Sequence, residues 1–87
     1  VVWKPSLKTP LTAIAVQHIC NRVLSRNGLQ GLLNLVIGRD DAVGSRMVDD
    51  RRVPLISATG STRMGRIVGE QVAARLGRTL LELGGNN

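Results

Sequence analysis

Apolar and polar positions along the chain follow two periods in turn, and this pattern predicts alternating strands and helices. Short apolar runs bounded by turn residues indicate strands, whereas apolar residues that recur every three or four positions indicate helices. The predicted strands cover residues 1–4, 32–38, 53–58 and 79–83, and the predicted helices cover residues 10–27, 41–48 and 61–76. Strand–helix–strand units with short connections predict an α/β fold with a parallel sheet and right-handed crossover helices.

The first predicted helix and the strand after it carry the clearest local signals. Thr9 is a good N-cap with Pro10 at the first helical position, and Gly28 closes the helix. Residues 32–38 form an apolar run that only Asn34 interrupts, which predicts a strand buried on both faces. We expect one apolar stripe of the helix to face the core, and its members are Val16, Ile19, Cys20, Val23 and Leu24.

Residues with candidate chemistry fall at the ends of the predicted strands. Ligands of parallel sheets bind at the carboxyl ends of the strands, and Lys4, residues 60–62 and Glu82 all lie there. The run from Gly60 to Gly65 ends one strand and opens a helix, where free N–H groups and the helix dipole attract an anion. Ser61 either caps this helix or offers its hydroxyl to a phosphate. An ordinary capped helix is the alternative, because the run lacks the Gly-x-Gly-x-x-Gly pattern.

Three runs together resemble the aldehyde dehydrogenase superfamily over essentially the whole chain: Val2-Trp3-Lys4-Pro5-Ser6, Ser57-Ala58-Thr59-Gly60-Ser61-Thr62-Arg63-Met64-Gly65 and Leu81-Glu82-Leu83-Gly84-Gly85-Asn86-Asn87. The resemblance implies that residues 1–87 form part of a Rossmann-like NAD(P)-binding domain. The catalytic cysteine and the oligomerisation regions of the longer enzyme are expected outside this chain. The residues that the resemblance places at the cofactor are Lys4, Ser6, Gly60, Ser61, Thr62, Met64, Gly65, Leu83 and Gly84.

The resemblance also assigns a catalytic role to Glu82, as the general base that activates water to hydrolyse a cysteine thioester. Leu81 and Leu83 flank Glu82, and desolvation by such neighbours is expected to raise its pKa toward the range of a useful base. Gly65, Gly69 and Ala73 share one helix face, which we expect to approach the sheet or the cofactor closely.

The expected cofactor is NAD, with NADP as the alternative. The family often has Glu at the position of Leu7, and the absence of that carboxylate removes repulsion against a 2′-phosphate. The hypothesis is therefore a less strict preference for NAD. The expected substrate is an aldehyde, and the motifs look most like the branch that oxidises aminoadipic semialdehyde in lysine breakdown. Other semialdehyde dehydrogenases and betaine-aldehyde-type dehydrogenases are the alternatives. A homo-oligomeric parent, dimer or tetramer, is also implied.

The amino-acid composition suggests a further alternative, a protein that is not an enzyme. The 87 residues carry a net charge of +6, which is typical of a basic module that binds nucleic acid. Trp3 is the single aromatic residue, however, so stacking on bases is not expected. Arg75 and Arg78 near a helix end are expected to offset the helix dipole and to be solvated.

A lone cysteine, the absence of a membrane-spanning run and the absence of a signal peptide favour the cytoplasm. No metal site is expected, because His18 has no partner ligands. Cys20 is expected to be a core residue and not a nucleophile, so the isolated chain is expected to be inactive.

Overall fold

The computed structural model describes residues 1–85, and strands and helices alternate along it in the predicted order. The elements are β1 (Val2–Trp3), α1 (Pro10–Arg26), β2 (Asn34–Leu35), a π-helical turn (Asp40–Gly44), α2 (Ser45–Asp49), β3 (Leu55–Gly60), α3 (Thr62–Ala74) and β4 (Arg78–Leu83). β1 pairs with β2 and β3 pairs with β4, both in parallel. The α/β class with parallel pairing is therefore confirmed. Most predicted bounds lie within about two residues of those observed, but the short helix predicted at 41–48 divides into the π-helical turn and α2.

The chain consists of two compact units, Val1–Gly44 and Ser45–Asn87. In the first unit, the side chain of Gln17 on α1 links β1 to the segment before β2. Its Oε1 accepts a hydrogen bond from Trp3 Nε1 at 2.8 Å, and its Nε2 donates to the carbonyl of Leu33 at 2.8 Å. The same Nε2 donates to Oδ1 of Asn21 at 2.8 Å, so a polar residue lies on the inner face of α1 and three partners satisfy it there.

The predicted inner stripe of α1 is wrong in part. Val16, Ile19 and Val23 are exposed, and Cys20 and Leu24 are half-buried. Cys20 is therefore a partly covered residue and not the fully buried core residue that was expected. The inner face instead runs through Ala13, Gln17, Cys20 and Leu24, whose spacing of three or four residues keeps them on one side of the helix.

The prediction of a doubly buried strand at residues 32–38 is also wrong. Regular pairing in this segment is limited to Asn34–Leu35, which lies beside β1. Leu32 and Ile37 are exposed. The apolar run indicated strand propensity, but a strand becomes buried on both faces only where layers cover both sides.

The second unit is built around a small apolar core between α3 and the β3–β4 pair. Its buried side chains are Val48, Ile56, Val68 and Val72, with Val53, Ala58, Met64 and Leu81 packed against them. Val72 is completely buried. The second unit therefore has its own hydrophobic core.

Two glycines let α3 approach β4 closely, as was expected. Gly65 is buried, and the methyl groups of Leu83 occupy the space that a side chain at Gly65 would need. Gly69 faces Leu81, whose Cδ1 would lie 3.7 Å from an added Cβ. Ala73 is exposed, so the close approach involves Gly65 and Gly69 only.

Arg75 corrects another expectation, because it is not a solvated surface residue. It is half-buried at the C-cap of α3, and its Nε donates to the carbonyl of Val48 at 2.7 Å. The arginine thereby links the end of α3 to α2, which a charge pattern in the sequence does not reveal.

Candidate functional site

The start of α3 forms a capped helix terminus at the carboxyl end of β3. Ser61 is the N-cap with extended backbone dihedrals, and its Oγ accepts a hydrogen bond from the N–H of Met64 at 3.1 Å. The carbonyl of Ser61 accepts from the N–H of Gly65 at 2.9 Å. Helix geometry leaves the N–H groups of Thr62 and Arg63 without acceptors inside the helix. Both donors lie in the first turn of α3, directly after the end of β3.

The capping interpretation of Ser61 is therefore confirmed, and it is compatible with a phosphate. A serine hydroxyl that accepts one hydrogen bond still has a proton to donate. The first turn contains no acidic residue, and Arg63 adds positive charge beside the two N–H groups. The donors at this terminus therefore fit an anion such as a phosphate.

Glycines shape the strand ends beside this terminus. The N–H of Gly84 donates to the carbonyl of Gly60 at 2.8 Å, which ties the end of β3 to the residue after β4. Met64 lies over Gly60, where its Cε occupies the place of a side chain. Leu83 pairs in register with Gly60 and packs against Gly65. Close backbone approach at Gly60 is thus a feature of the structure, as the sequence indicated.

Glu82 lies one residue before the end of β4, with Thr59 of β3 as its partner in register. Leu81 and Leu83 face α3. Since neighbouring residues on a strand point to opposite faces, Glu82 belongs to the face away from α3. Its side chain is exposed. The expectation that Leu81 and Leu83 desolvate Glu82 is therefore wrong for the described residues, because both leucines point to the other side of the sheet.

Lys4 and Ser6 lie in the first unit, where β1 ends. The Lys4 side chain is only 12% exposed, and its Nζ lies 2.6 Å from Oδ1 of Asp40. The same ammonium group donates to the carbonyl of Pro5 at 3.1 Å. Ser6 is exposed, and its Oγ accepts from the N–H of Lys8 at 3.2 Å. Lys4 is thus an oriented, paired cation and not a freely solvated lysine.

The second unit brings most of the predicted residues together at one end of the β3–β4 pair. They are Gly60, Ser61, Thr62, Met64, Gly65, Glu82, Leu83 and Gly84. Lys4 and Ser6 are positioned at the end of β1 in the first unit. The predicted motif ending at Asn86 and Asn87 extends outside the described residues.

Sequence reasoning missed two residues beside the predicted ones. Asp40 pairs with Lys4 although it follows a different strand. Thr59 lies next to Glu82 through the register of β3 and β4. The position of Thr59 could have been predicted from the sequence, because parallel pairing of the two predicted strands places Thr59 across from Glu82. No sequence signal links Asp40 to Lys4.

Other kinds of site find no support in the part of the chain that the structure describes. Within residues 1–85, no three His, Cys, Asp or Glu side chains are grouped as a metal site would require. None of the helices described has the length and the apolar character needed to cross a membrane.

Comparisons with known proteins point to one family. Residues 1–87 match the model of the aldehyde dehydrogenase family. A putative aldehyde dehydrogenase family 7 member A1 homolog from Caenorhabditis elegans is 56% identical over the full chain. The alpha-aminoadipic semialdehyde dehydrogenase of Bos taurus is 46% identical over 99% of it. The chain spans 16% of the length of each of these two relatives.

Solved structures of aldehyde dehydrogenases resemble the fold of this chain. Betaine aldehyde dehydrogenase from Staphylococcus aureus, in complex with NAD+, is 36% identical with a TM-score of 0.86. Glyceraldehyde-3-phosphate dehydrogenase GapN from Methanocaldococcus jannaschii, complexed with NADP, is 33% identical with a TM-score of 0.89. Each match covers 99% of this chain, and 17% and 19% of the respective solved chain.

Proposed function

The chain belongs to the aldehyde dehydrogenase family, and we propose that it forms part of the nicotinamide-cofactor domain of an enzyme that oxidises an aldehyde to a carboxylate. One observation carries the proposal: the Ser61-capped start of α3 lies at the same end of the β3–β4 pair as Glu82. A helix terminus whose donors fit an anion and a carboxylate therefore lie at neighbouring strand ends, and parallel sheets commonly bind ligands at such ends, which supports the proposal.

The cofactor is proposed to be NAD, with NADP as the alternative, and its nicotinamide ring supplies the acceptor of a hydride when it is bound. The N–H groups of Thr62 and Arg63 and the hydroxyl of Ser61 bind the pyrophosphate. Lys4 donates to the adenosine ribose, and Ser6 lies beside that contact at the end of β1. Gly60, Met64, Gly65, Leu83 and Gly84 form the walls against which the cofactor lies.

Glu82 is proposed to be the general base for hydrolysis. A cysteine of the parent enzyme outside this chain attacks the aldehyde, and loss of hydride leaves a thioester. Glu82 takes one proton from water, and the water oxygen attacks the thioester carbon and displaces the thiolate. The carboxylic acid that forms loses the second proton to solvent and leaves as the carboxylate. The exposed position of Glu82 on the face away from α3 gives water access to its carboxylate.

The proposed substrate is aminoadipic semialdehyde, which would place the enzyme in lysine breakdown. The relative from Bos taurus that carries this substrate in its name supports the choice. Another semialdehyde or a betaine-type aldehyde is the alternative, supported by the likeness to betaine aldehyde dehydrogenase. A cytoplasmic homo-oligomer, dimer or tetramer, completes the proposal.

The full-length parent protein tests the function directly. It should reduce NAD+ when aminoadipic semialdehyde is added, with a higher kcat/KM than for betaine aldehyde. The opposite order of kcat/KM would overturn the substrate proposal alone. A parent protein that binds neither NAD+ nor NADP+ and reduces neither would overturn the function itself.

The role of Ser61 is tested by Ser61→Asp in the same protein, with Ser61→Asn as the matched neutral control. Both residues are good N-caps, so α3 should keep its stability. The aspartate adds a negative charge where the pyrophosphate is expected, and we expect the Kd for NAD+ to rise by about tenfold or more. Cofactor titration and thermal melting measure the two effects. Equal Kd values for NAD+ in the two variants would show that the pyrophosphate does not bind at this turn.

A further inference from the structure

One apolar side of α1 is uncovered in the described part of the chain. Val16, Ile19 and Val23 recur every three or four residues, so they share one side of the helix. They are 41%, 52% and 53% exposed. We call these three residues the side stripe. A helix of a globular protein normally buries such a stripe, because exposure of apolar groups to water is unfavourable. The side stripe therefore lacks a cover within residues 1–85.

The direction of the side stripe indicates where its cover would lie. The inner face of α1 contacts β1 and the segment before β2 through Gln17. At 3.6 residues per turn, the centre of the side stripe is about 100° around the helix from the centre of that inner face. The side stripe thus faces along the sheet, whereas Leu11, about 150° around, faces away from the sheet. Helices that cover one face of a parallel sheet lie side by side, so the side stripe faces the place of a neighbouring helix.

The first unit also buries little apolar surface with its own residues. Its buried hydrophobic residue among those described is Ala13, and each of its strands has two residues. A pair of strands is marginally stable in water without further packing. The chain spans 16% of the length of each of two relatives, so a parent of that length contains enough polypeptide to supply another element.

We propose that an amphipathic helix of the parent polypeptide, outside residues 1–87, packs beside α1 on the same face of the sheet and covers the side stripe. A helix fits better than a strand, because the side stripe is a narrow row about two turns long, and such ridges pack into the grooves of a second helix whose axis lies about 8–10 Å away. A second copy of the chain would more readily cover the side of Leu11, which faces away from the sheet. The inference concerns packing and does not depend on the cofactor or the reaction.

Chemical labelling of the full-length parent enzyme tests the cover. Val23→Cys places a thiol in the side stripe, and Leu11→Cys, at a position that is 80% exposed, is the matched control. Both variants also carry Cys20→Ser, so each has one thiol in α1. Alkylation by N-ethylmaleimide is followed by mass spectrometry of the peptide that contains the new cysteine. We expect Val23→Cys to react at least about tenfold more slowly than Leu11→Cys in the native enzyme, since opening must precede reaction. The two rates should become equal after denaturation.

A crosslink identifies the covering element with a milder change. Ile19→Leu is expressed with photo-leucine, whose diazirine group reacts on illumination with the atoms that contact the side chain. The peptide joined to residue 19 should come from the same polypeptide, and its apolar residues should recur every three or four positions.

The outcomes distinguish the possible occupants. Equal alkylation rates in the two native cysteine variants, or the absence of any crosslink from residue 19 to a segment outside residues 1–87, would overturn the proposal. A crosslink to a second copy, seen as a doubled subunit mass on a denaturing gel, would assign the side stripe to an interface between subunits instead. A crosslinked peptide without the helical period would show that the cover is not a helix.

Discussion

At the scale of single residues, the position of Glu82 is compatible with the hydrolysis step that is proposed for it. Its exposed carboxylate lies on the sheet face opposite α3, beside Thr59. A carboxylate with access to water suits proton abstraction from that water. In the proposed reaction, hydride transfer requires no proton transfer to Glu82 once the cysteine is a thiolate, so hydride transfer and thioester hydrolysis should respond differently to removal of the Glu82 carboxylate.

We predict that Glu82→Gln in the parent enzyme slows thioester hydrolysis more than hydride transfer. Loss of a general base typically lowers the rate by about 10²–10⁴-fold. A rapid burst of reduced cofactor should therefore remain while steady-state turnover falls. Glu70→Gln, the same chemical change at an exposed position of α3, is the control. Unchanged steady-state turnover in Glu82→Gln would show that Glu82 is structural.

Asp50 offers a residue-scale test of stability against pH. Arg52 donates from Nε and Nη2 to the two carboxylate oxygens at 2.9 and 2.7 Å, and its backbone N–H also donates to Oδ1. These bonds hold the pKa of Asp50 well below its usual value of 3.8. The folded state thus favours the ionised carboxylate, and the stabilisation is present above that usual value.

Stability from this pair should therefore be lost as the pH falls below about 4. We predict that the difference in free energy of unfolding between the natural chain and Asp50→Asn is constant near neutrality and shrinks in acid. Arg52→Gln should produce the same trend, because the guanidinium is the main cause of the lowered pKa. Denaturant titrations across this pH range measure both. A difference that does not vary with pH would contradict the assignment.

At the scale of elements, the two longer helices end in the same way with different residues. The N–H of Gly28 donates to the carbonyl of Ser25, and that of Leu29 to Leu24; Leu76 N–H donates to Ala73 and Gly77 N–H to Val72. This is the Schellman arrangement, which needs a left-handed residue at the first position after the cap. Gly28 has φ 68° and Leu76 has φ 60°. The left-handed region suits glycine but strains leucine.

We predict that Leu76→Gly stabilises the chain by about 1 kcal/mol, since Leu76 is 93% exposed and loses little burial. The reverse change, Gly28→Leu, should destabilise it by about the same amount. Nothing lies within 4 Å of a Cβ at Gly28, so its cost is conformational and not steric. Free energies of unfolding from denaturant titration provide the measurement. Destabilisation by Leu76→Gly would indicate that its side chain makes a contact that outweighs the strain.

The elements also show how much of the fold can be predicted from the sequence. Apolar periodicity and turn residues located the strands and α-helices of the described residues but not the π-helical turn, and the Ser61 cap was predicted from its place where a strand ends and a helix opens. The inner face of α1 was not predicted, because the half-buried Gln17 lies there with hydrogen bonds to Trp3 and Leu33, and hydropathy assigns no such role to an amide. The length of a strand depends on the partner strands with which it can pair. The apolar run at residues 32–38 therefore predicted a longer β2 than the two residues observed.

In the candidate site, too, local features could be predicted from the sequence and contacts between distant segments could not. Residues that share one motif, from Gly60 to Gly65, were predicted together because neighbours in sequence stay neighbours in a turn. The pairing of Lys4 with Asp40 depends on the path of the chain after β2, which local patterns do not specify. Leu81 and Leu83 were expected to surround Glu82, but strand alternation turns them to the opposite face.

At the scale of the whole molecule, the two units differ in how much apolar surface they bury. In the described part of Val1–Gly44 the buried hydrophobic residue is Ala13, whereas the second unit buries Val48, Ile56, Val68 and Val72. Local opening requires less free energy where fewer apolar contacts must break. The second unit should therefore open less readily than the first.

We predict that in the 87-residue chain the slowest amide hydrogens of α3 exchange at least about tenfold more slowly than those of α1, since about 1.4 kcal/mol of extra opening free energy produces that ratio. Val72→Ala tests the cause, because Val72 is completely buried and truncation of such a side chain costs about 2 kcal/mol. This variant should accelerate exchange in α3 and leave α1 unchanged. Hydrogen–deuterium exchange read by NMR resolves the two helices. Equal protection of α1 and α3 in the natural chain, or an equal loss in both helices on Val72→Ala, would show that the two units open as one.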